Sequence, residues 1–145
     1  MTTRHRIVVG GDTTPTATAA LRWAVAEAAH LPDCSVLVVH AFDLDGRADL
    51  ALERDLERSR REARYRTQSW VVETLGDARV QVPVLVQTPD GSVEEALVAA
   101  SRGADMVVVG EPRNGRRRDL SAHLTERCTC PVVTVGVGPT PALAS

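Results

Sequence analysis

The stretch "GSVEEALVAASRGADMVVVG", residues 91–110, holds a helix, a turn and a buried strand in direct succession. Ser92 and Glu95 form a capping box that predicts the start of the helix, and Gly103 predicts its end. The apolar run that follows is typical of a parallel strand covered on both faces. Gly110 ends that run. The stretch therefore predicts the helix and second strand of a crossover unit in an α/β protein.

Alternating strands and helices continue on both sides of this unit. Four further apolar runs predict strands at residues 6–10, 34–41, 80–87 and 131–137. Helices are predicted after the cap residues Thr14 and Pro15, over residues 49–75, and in the short stretch that contains Leu120 and Leu124.

The order of these elements predicts a single domain over residues 1–138, followed by a disordered tail at residues 139–145. Strict alternation gives a doubly wound sheet of five parallel strands with helices on both faces. Pro83 cannot donate a ladder hydrogen bond, so its strand is predicted to lie at an edge. Ligands of such sheets bind where the strand order reverses, which points to the turns after the first and fourth strands.

The composition excludes several classes of function. The net charge of −2 gives no general attraction to nucleic acid or membranes, and no apolar run approaches the ~20 residues of a membrane span. All 17 basic residues are arginine, which excludes Schiff-base chemistry and a P-loop lysine. Three cysteines argue against a disulfide framework, and the first strand begins without a signal-peptide pattern. A cytoplasmic protein without a membrane partner is expected.

The predicted helix over residues 49–75 is rich in arginine, so a nucleic-acid face is one interpretation of it. Its acidic residues interleave with the arginines, as in the i,i+4 pair Glu57 and Arg61 and the pair Glu62 and Arg66. Such a helix has little net field, so we interpret it as a solvated face and expect no nucleic-acid partner.

Four segments, in order and at nearly the expected spacing, resemble the universal stress protein family. They are "IVVGGDTTPTATAALRWAVAEA", "VLVVHA", "TPDGSVEEALVAASRGADMVVVG" and "ERCTCPVVTV". The resemblance covers nearly the whole chain. It implies the fold shared with adenine nucleotide α hydrolases and a non-enzymatic role in a stress response.

The family's ATP-binding pattern is only partly present after the fourth strand. In that pattern a first glycine is followed after two residues by a second, and after nine more by Gly-Ser or Gly-Thr. Gly110 matches the first glycine, but Arg113 takes the place of the second. Aligned backward from Cys130, Arg118 and Asp119 stand where the final pair belongs. The resemblance therefore implies a degenerate, vestigial or weak nucleotide cleft, with no cofactor expected and ATP as a possible ligand.

Two other turns match the family better. Gly10 ends the first strand, and the resemblance implies that Asp12 lies beside the nucleotide and that the backbone of Ala41 meets the adenine. Thr13 replaces a glycine and stiffens the turn, because β-branched residues disfavour positive φ. Asp12 has a second interpretation, since its carboxylate can anchor its own turn through backbone amides.

The loop after Gly110 also has two interpretations. Arg113 and the run Arg116–Arg118 can clamp an anion, because arginine binds phosphate bidentately without glycines. A solvated basic loop is the alternative. Asp119 favours the second, because as an N-cap it occupies the site at a helix N-terminus that an anion would use.

No catalytic or metal motif is visible. His123, Cys128 and Cys130 have poor spacing for a zinc site and no fourth ligand nearby, so they are interpreted as structural. His40 ends a strand and is predicted to be a hydrogen-bonded structural histidine. An ATP-pyrophosphatase-like enzyme is a remote alternative, because "VGGDTT" lacks both serines of that signature.

The last strand predicts a homodimer. Val132, Val133, Thr134 and Val135 would form a bare apolar edge in a monomer, and such edges pair with other chains. The resemblance implies the same, because many family members dimerise through this strand. The sequence therefore predicts a self-associating domain that acts on an unknown regulatory partner.

Overall fold

The computed structural model describes residues 5–11, 14–41, 53–77, 81–111, 118–136 and 142–144. Its elements, in chain order, are β1 (His5–Gly10), α1 (Pro15–Ala29), β2 (Cys34–Val39), α2 (Glu53–Leu75), β3 (Val84–Gln87), α3 (Val93–Ser101), β4 (Met106–Gly110), α4 (Arg118–Arg127), β5 (Val132–Val135) and β6 (Ala142–Ala144). Residues 49–52 of the predicted second helix lie outside the described residues.

The six strands form one sheet in the order β3-β2-β1-β4-β5-β6. The first five strands are parallel, as predicted, and β1 pairs with β2 on one side and β4 on the other. The position of β3 at an edge confirms the prediction from Pro83. The strand itself is shorter than predicted and begins at Val84, after the proline. The Pro83 carbonyl nevertheless accepts from the Val36 amide at 2.9 Å.

The core has two layers because successive strand residues point to opposite faces of the sheet. One layer lies under α1 and α2, where Ile7 and Val9 of β1 meet the alanine-rich face of α1. The other lies under α3 and α4, where Val8 meets Leu97 and Leu124. Both leucines are 0% exposed, and burial of each contributes roughly 1.5–3 kcal/mol. The two layers therefore hold α1 and α2 on one face of the sheet and α3 and α4 on the other.

Two predicted helix starts are formed by side-chain caps. The Thr14 hydroxyl accepts from the Ala17 amide at 3.2 Å, and the Ser92 hydroxyl accepts from the Glu95 amide at 3.1 Å. The carboxylate of Glu95 accepts from Arg127 of α4 instead of completing a capping box. The cap therefore starts α3, while its second acid joins α3 to α4.

The C-terminal residues correct two predictions. Ala142–Ala144 form β6, which pairs antiparallel with β5, so the predicted disorder of residues 139–145 is wrong for these three residues. The other residues of that range lie outside the described part of the chain. The predicted bare edge at Val132–Val135 is also wrong, because β6 occupies it. An antiparallel strand needs only a short connection, which the segment before Ala142 supplies.

Candidate functional site

At the carboxyl end of the sheet the chain leaves the neighbouring strands β1 and β4 in opposite directions, an arrangement that in α/β sheets forms a crevice. After β1, the amide of Gly11 donates to Val39 of β2 at 2.9 Å. After β4, the amide of Glu111 donates to Val135 of β5 at 2.8 Å. The residue after β1 therefore extends the pairing with β2, and the residue after β4 extends the pairing with β5, so the two segments diverge. This is the switch point at which α/β proteins bind ligands.

The N-terminus of α1 lies directly against Gly110, on one side of this crevice. A Cβ atom at residue 110 would lie 2.6 Å from the Thr16 carbonyl carbon, 2.7 Å from Thr16 Oγ1 and 2.8 Å from the Ala17 amide nitrogen. These distances are far below van der Waals contact, and two of the three atoms are backbone. Glycine is therefore required at residue 110 by helix packing, whether or not a phosphate binds.

The exit from β1 is fixed by His40 and Trp70. The Nδ1 atom of His40 hydrogen-bonds the Gly11 carbonyl, and its backbone amide donates to Gln87 at 2.9 Å. His40 is thus a hydrogen-bonded structural histidine, as predicted. A Cβ at residue 11 would lie 2.8 Å from Val38 Cγ1 and 3.1 Å from the Trp70 ring. The backbone of Gly11 is consequently hydrogen-bonded by one ring and closely approached by another.

Trp70 joins α2 to α1 beside the crevice. Its Nε1–H donates to Thr18 Oγ1 at 3.0 Å, and its ring packs against the core layer under α1. The local pattern around Trp70 did not predict this role, because Trp70 lies in a helix far along the chain from both glycine turns. The one available signal was the doubled glycine at residues 10–11, which permits a large ring to approach the backbone.

The predicted site residues divide into three groups. Gly10, Ala41 and Gly110 lie at the carboxyl ends of neighbouring strands and are brought to one edge of the sheet. A second group lies outside the described residues and comprises Asp12, Thr13, Arg113, Arg116 and Arg117. The third group, Arg118 and Asp119, begins α4, with side chains that are not described.

The start of α4 corrects the role predicted for Asp119. Because the helix begins at Arg118, Asp119 lies in its first turn and is not the N-cap. A carboxylate in the first turn still interacts favourably with the positive end of the helix dipole. The last residue of α4, Arg127, donates to Glu95 at 2.8 Å and pairs with Glu94 at 3.3 Å. These contacts hold the end of α4 against the start of α3.

Charge and burial act on a few titratable groups. The hydrogen bonds and positive charge of Arg127 lower the pKa of Glu95. Burial raises the pKa of the Cys34 thiol and that of Cys130. All three cysteines are free. Within the described ranges, no cluster of three or more His, Cys, Asp or Glu side chains is arranged to hold a metal ion.

The described helices also bear on membrane association. None of them is both long and apolar enough to cross a bilayer.

A scan against protein-family models places residues 3–136 in one family, the universal stress proteins. The chain belongs to the universal stress protein family. The resemblance of the four sequence segments is thereby confirmed. No curated protein sequence matches this universal stress protein.

Solved structures share its fold. A universal stress protein from Archaeoglobus fulgidus in complex with dAMP is 23% identical, with a TM-score of 0.65 over 93% of this chain and 99% of that one. A family protein from Arabidopsis thaliana with AMP bound is 15% identical, with a TM-score of 0.63 over 92% of each chain. A universal stress protein in complex with cAMP is 16% identical, with a TM-score of 0.66 over 94% and 99%.

Proposed function

We propose that this universal stress protein is a non-enzymatic regulatory domain that acts as a homodimer in a stress response, and that its nucleotide cleft has lost tight binding of ATP. The observation that carries the proposal is that Arg113 and Arg118 stand where the ATP pattern has glycine. The one matching glycine, Gly110, packs against Thr16 and Ala17, which gives a packing reason for its presence. A glycine at this position is therefore no evidence for a phosphate site.

The adenine side of the cleft supports a weak, residual affinity for nucleotides. Gly10 and Ala41 follow the neighbouring strands β1 and β2 at the carboxyl edge of the sheet, beside the switch point between β1 and β4. Solved relatives were obtained with cAMP, dAMP and AMP. Each of these ligands carries a single phosphate, and a single phosphate needs a smaller cradle than a triphosphate does.

The residues expected on the phosphate side of the cleft support the loss of ATP binding. Tight binding of phosphates uses backbone amides that approach closely, which glycine permits and a side chain obstructs. Arg113 and Arg118 stand at two positions where the family pattern has glycine, and Asp119 adds a negative charge. Charge attraction alone holds a triphosphate only weakly, because charges in solvent are screened beyond about 8 Å at physiological ionic strength.

A second candidate is an ATP-binding member in which Arg113 and Arg116–Arg118 replace the glycine cradle. The arginine content of the loop favours it, since guanidinium groups bind phosphate oxygens bidentately. The two candidates differ in affinity. A working arginine clamp requires preorganised side chains and gives tight binding that a single arginine substitution abolishes.

The non-enzymatic part of the proposal is supported by the use that the fold makes of His40. Its Nδ1 atom is engaged with the Gly11 carbonyl, where it fixes backbone and not a reacting group. The ATP-pyrophosphatase-like alternative lacks both serines of its signature in "VGGDTT". A cytoplasmic location is supported by three free cysteines, which suit a reducing compartment.

Native mass spectrometry of the purified full chain tests the proposal. We expect the mass of the protein without adenine nucleotide, both as purified and after incubation with ten micromolar Mg-ATP and desalting. A stoichiometric adduct with the mass of ATP would contradict the loss of ATP. An adduct with the mass of AMP or cAMP would leave that loss intact and show that the adenine side is functional.

A further inference from the structure

The outer edge of β5 is built to accept a strand. The amide of Val107 donates to the Pro131 carbonyl at 2.9 Å, and that of Glu111 donates to Val135 at 2.8 Å. Backbone groups of successive strand residues point to opposite edges. The amides and carbonyls of the odd-numbered residues of β5 therefore face β4. Those of Val132 and Thr134 point away from it.

In this chain β6 pairs with the outward-facing backbone groups of β5. Val132 pairs with Ala144 and Thr134 pairs with Ala142, in antiparallel register. The opposite edge of the sheet is protected differently, because Pro83 limits β3 to four residues. By contrast, β5 has no proline and no charged residue, the features that commonly protect exposed edges. β6 is thus the protection of this edge.

We propose that β6 is an intrachain cap that competes with a second copy of this chain for the edge of β5. The proposal rests on the self-association that the proposed function includes. An antiparallel partner is what this edge accepts, as β6 itself shows. The β5 strand of a second copy, related by a two-fold axis, supplies the same antiparallel geometry to both edges at once.

The cap is short enough to be displaced. It comprises three residues, which pair with only three residues of β5, so few backbone hydrogen bonds are lost on its release. Its advantage is its attachment, because a short tether gives an effective concentration in the millimolar range. A free second copy at micromolar concentration competes poorly with such a tethered strand. Removal of the tail removes this competitor without changing β5.

β5 keeps its position when β6 leaves. All four of its residues pair with β4, and Val132, Val133 and Val135 are buried. The Thr134 hydroxyl also hydrogen-bonds Ser121 of α4 at 3.0 Å. The strand-accepting edge therefore does not depend on β6 for its own structure.

Sedimentation equilibrium tests the cap in three chains: the full chain, a chain that ends at Gly138, and the full-length double variant Ala142→Pro, Ala144→Pro. Proline at these residues removes the two amides that face β5. We expect the dimer dissociation constant to fall at least ten-fold in both altered chains. The matched control Ala142→Val, Ala144→Val keeps the amides and should behave as the full chain does.

A second pair of variants identifies the edge that pairs. In the shortened chain, Thr134→Pro removes an outward amide and should abolish the dimer. Thr134→Val loses the bond to Ser121 but keeps the amide, so it should leave the dimer intact. Cooperative thermal unfolding of every variant checks that it is folded.

Each other outcome overturns part of the account. Equal dissociation constants for the full and shortened chains would refute the cap and leave self-association standing. A shortened chain that stays monomeric would refute self-association through β5 as well. A shortened chain that dimerises more weakly would show that β6 belongs to the interface. None of these results depends on nucleotide, so failure here is distinct from failure of the proposed cleft.

Discussion

Gly110 and Thr16 approach so closely that a Cβ atom at residue 110 would lie 2.6 Å from the Thr16 carbonyl carbon. The contact joins the end of β4 to the first turn of α1, beside the switch point between β1 and β4. A glycine that the ATP pattern assigns to a ligand is thus required by the fold itself. Its presence carries no information about the ligand.

The variant Gly110→Ala should lower the free energy of unfolding by about 1–3 kcal/mol, because backbone of α1 must move to admit the methyl group. Urea denaturation monitored by circular dichroism measures the loss. Gly10→Ala is the matched control, since its Cβ would meet only the side-chain ends Val109 Cγ1 at 3.3 Å and Leu97 Cδ1 at 3.4 Å. We expect that variant to lose less than about 1 kcal/mol; equal losses would contradict the packing role of Gly110.

The hydrogen bond from Trp70 to Thr18 should contribute about 0.5–1.5 kcal/mol to stability. A double-mutant cycle of Trp70→Phe and Thr18→Val isolates this energy from the loss of ring volume. The matched cycle uses Trp23→Phe, which alters the other tryptophan of the same core layer. Coupling of Thr18 with Trp70 and none with Trp23 is expected, and coupling of equal size in both cycles would show a general loosening of α1.

The ion pair between Glu95 and Arg127 should make stability depend on pH in acid. Arg127 lowers the pKa of Glu95 below its ordinary value of 4.5. The pair therefore stabilises the fold above that value, and the stabilisation is lost as pH falls through the folded-state pKa. The difference in stability between the native chain and Glu95→Gln should be present at neutral pH and vanish in strong acid.

The control for this pair is Glu126→Gln. It removes a negative charge from α4, the helix that carries Arg127, and leaves Glu95 of α3 in place. Its stability difference from the native chain should change less between neutral and acidic pH. Added salt should reduce the effect of Glu95→Gln, because exposed charges are screened. A difference for Glu95→Gln that stays constant from neutral pH to strong acid would show that the pair contributes nothing.

The sequence predicted most of the sheet because long apolar runs and helix caps are local signals. The strands around Ile7, Val36 and Val107 needed only continuous hydrophobicity. The parallel order then placed Gly10, Ala41 and Gly110 at one edge. β3 was predicted too long because the apolar run continues through Pro83, while the hydrogen-bond ladder does not.

The rest of the structure depends on contacts that no local pattern encodes. β6 is three residues long and follows a segment with two prolines, so it carries no strand signal of its own. It exists because β5 offers unpaired backbone groups nearby. The packing of Trp70 on Gly11 and of Thr16 on Gly110 depends on how closely helices approach strand ends, which side-chain periodicity does not specify.

The central claim is that the cleft has lost tight binding of ATP, and isothermal titration calorimetry with Mg-ATP at physiological salt tests it most directly. We predict a dissociation constant no lower than about 1 mM, which corresponds to about −4 kcal/mol. A low-micromolar constant that is lost on Arg113→Ala or Asp12→Ala, and kept on Arg102→Ala outside the loop, would contradict the claim. It would show that the loop arginines form a working phosphate site.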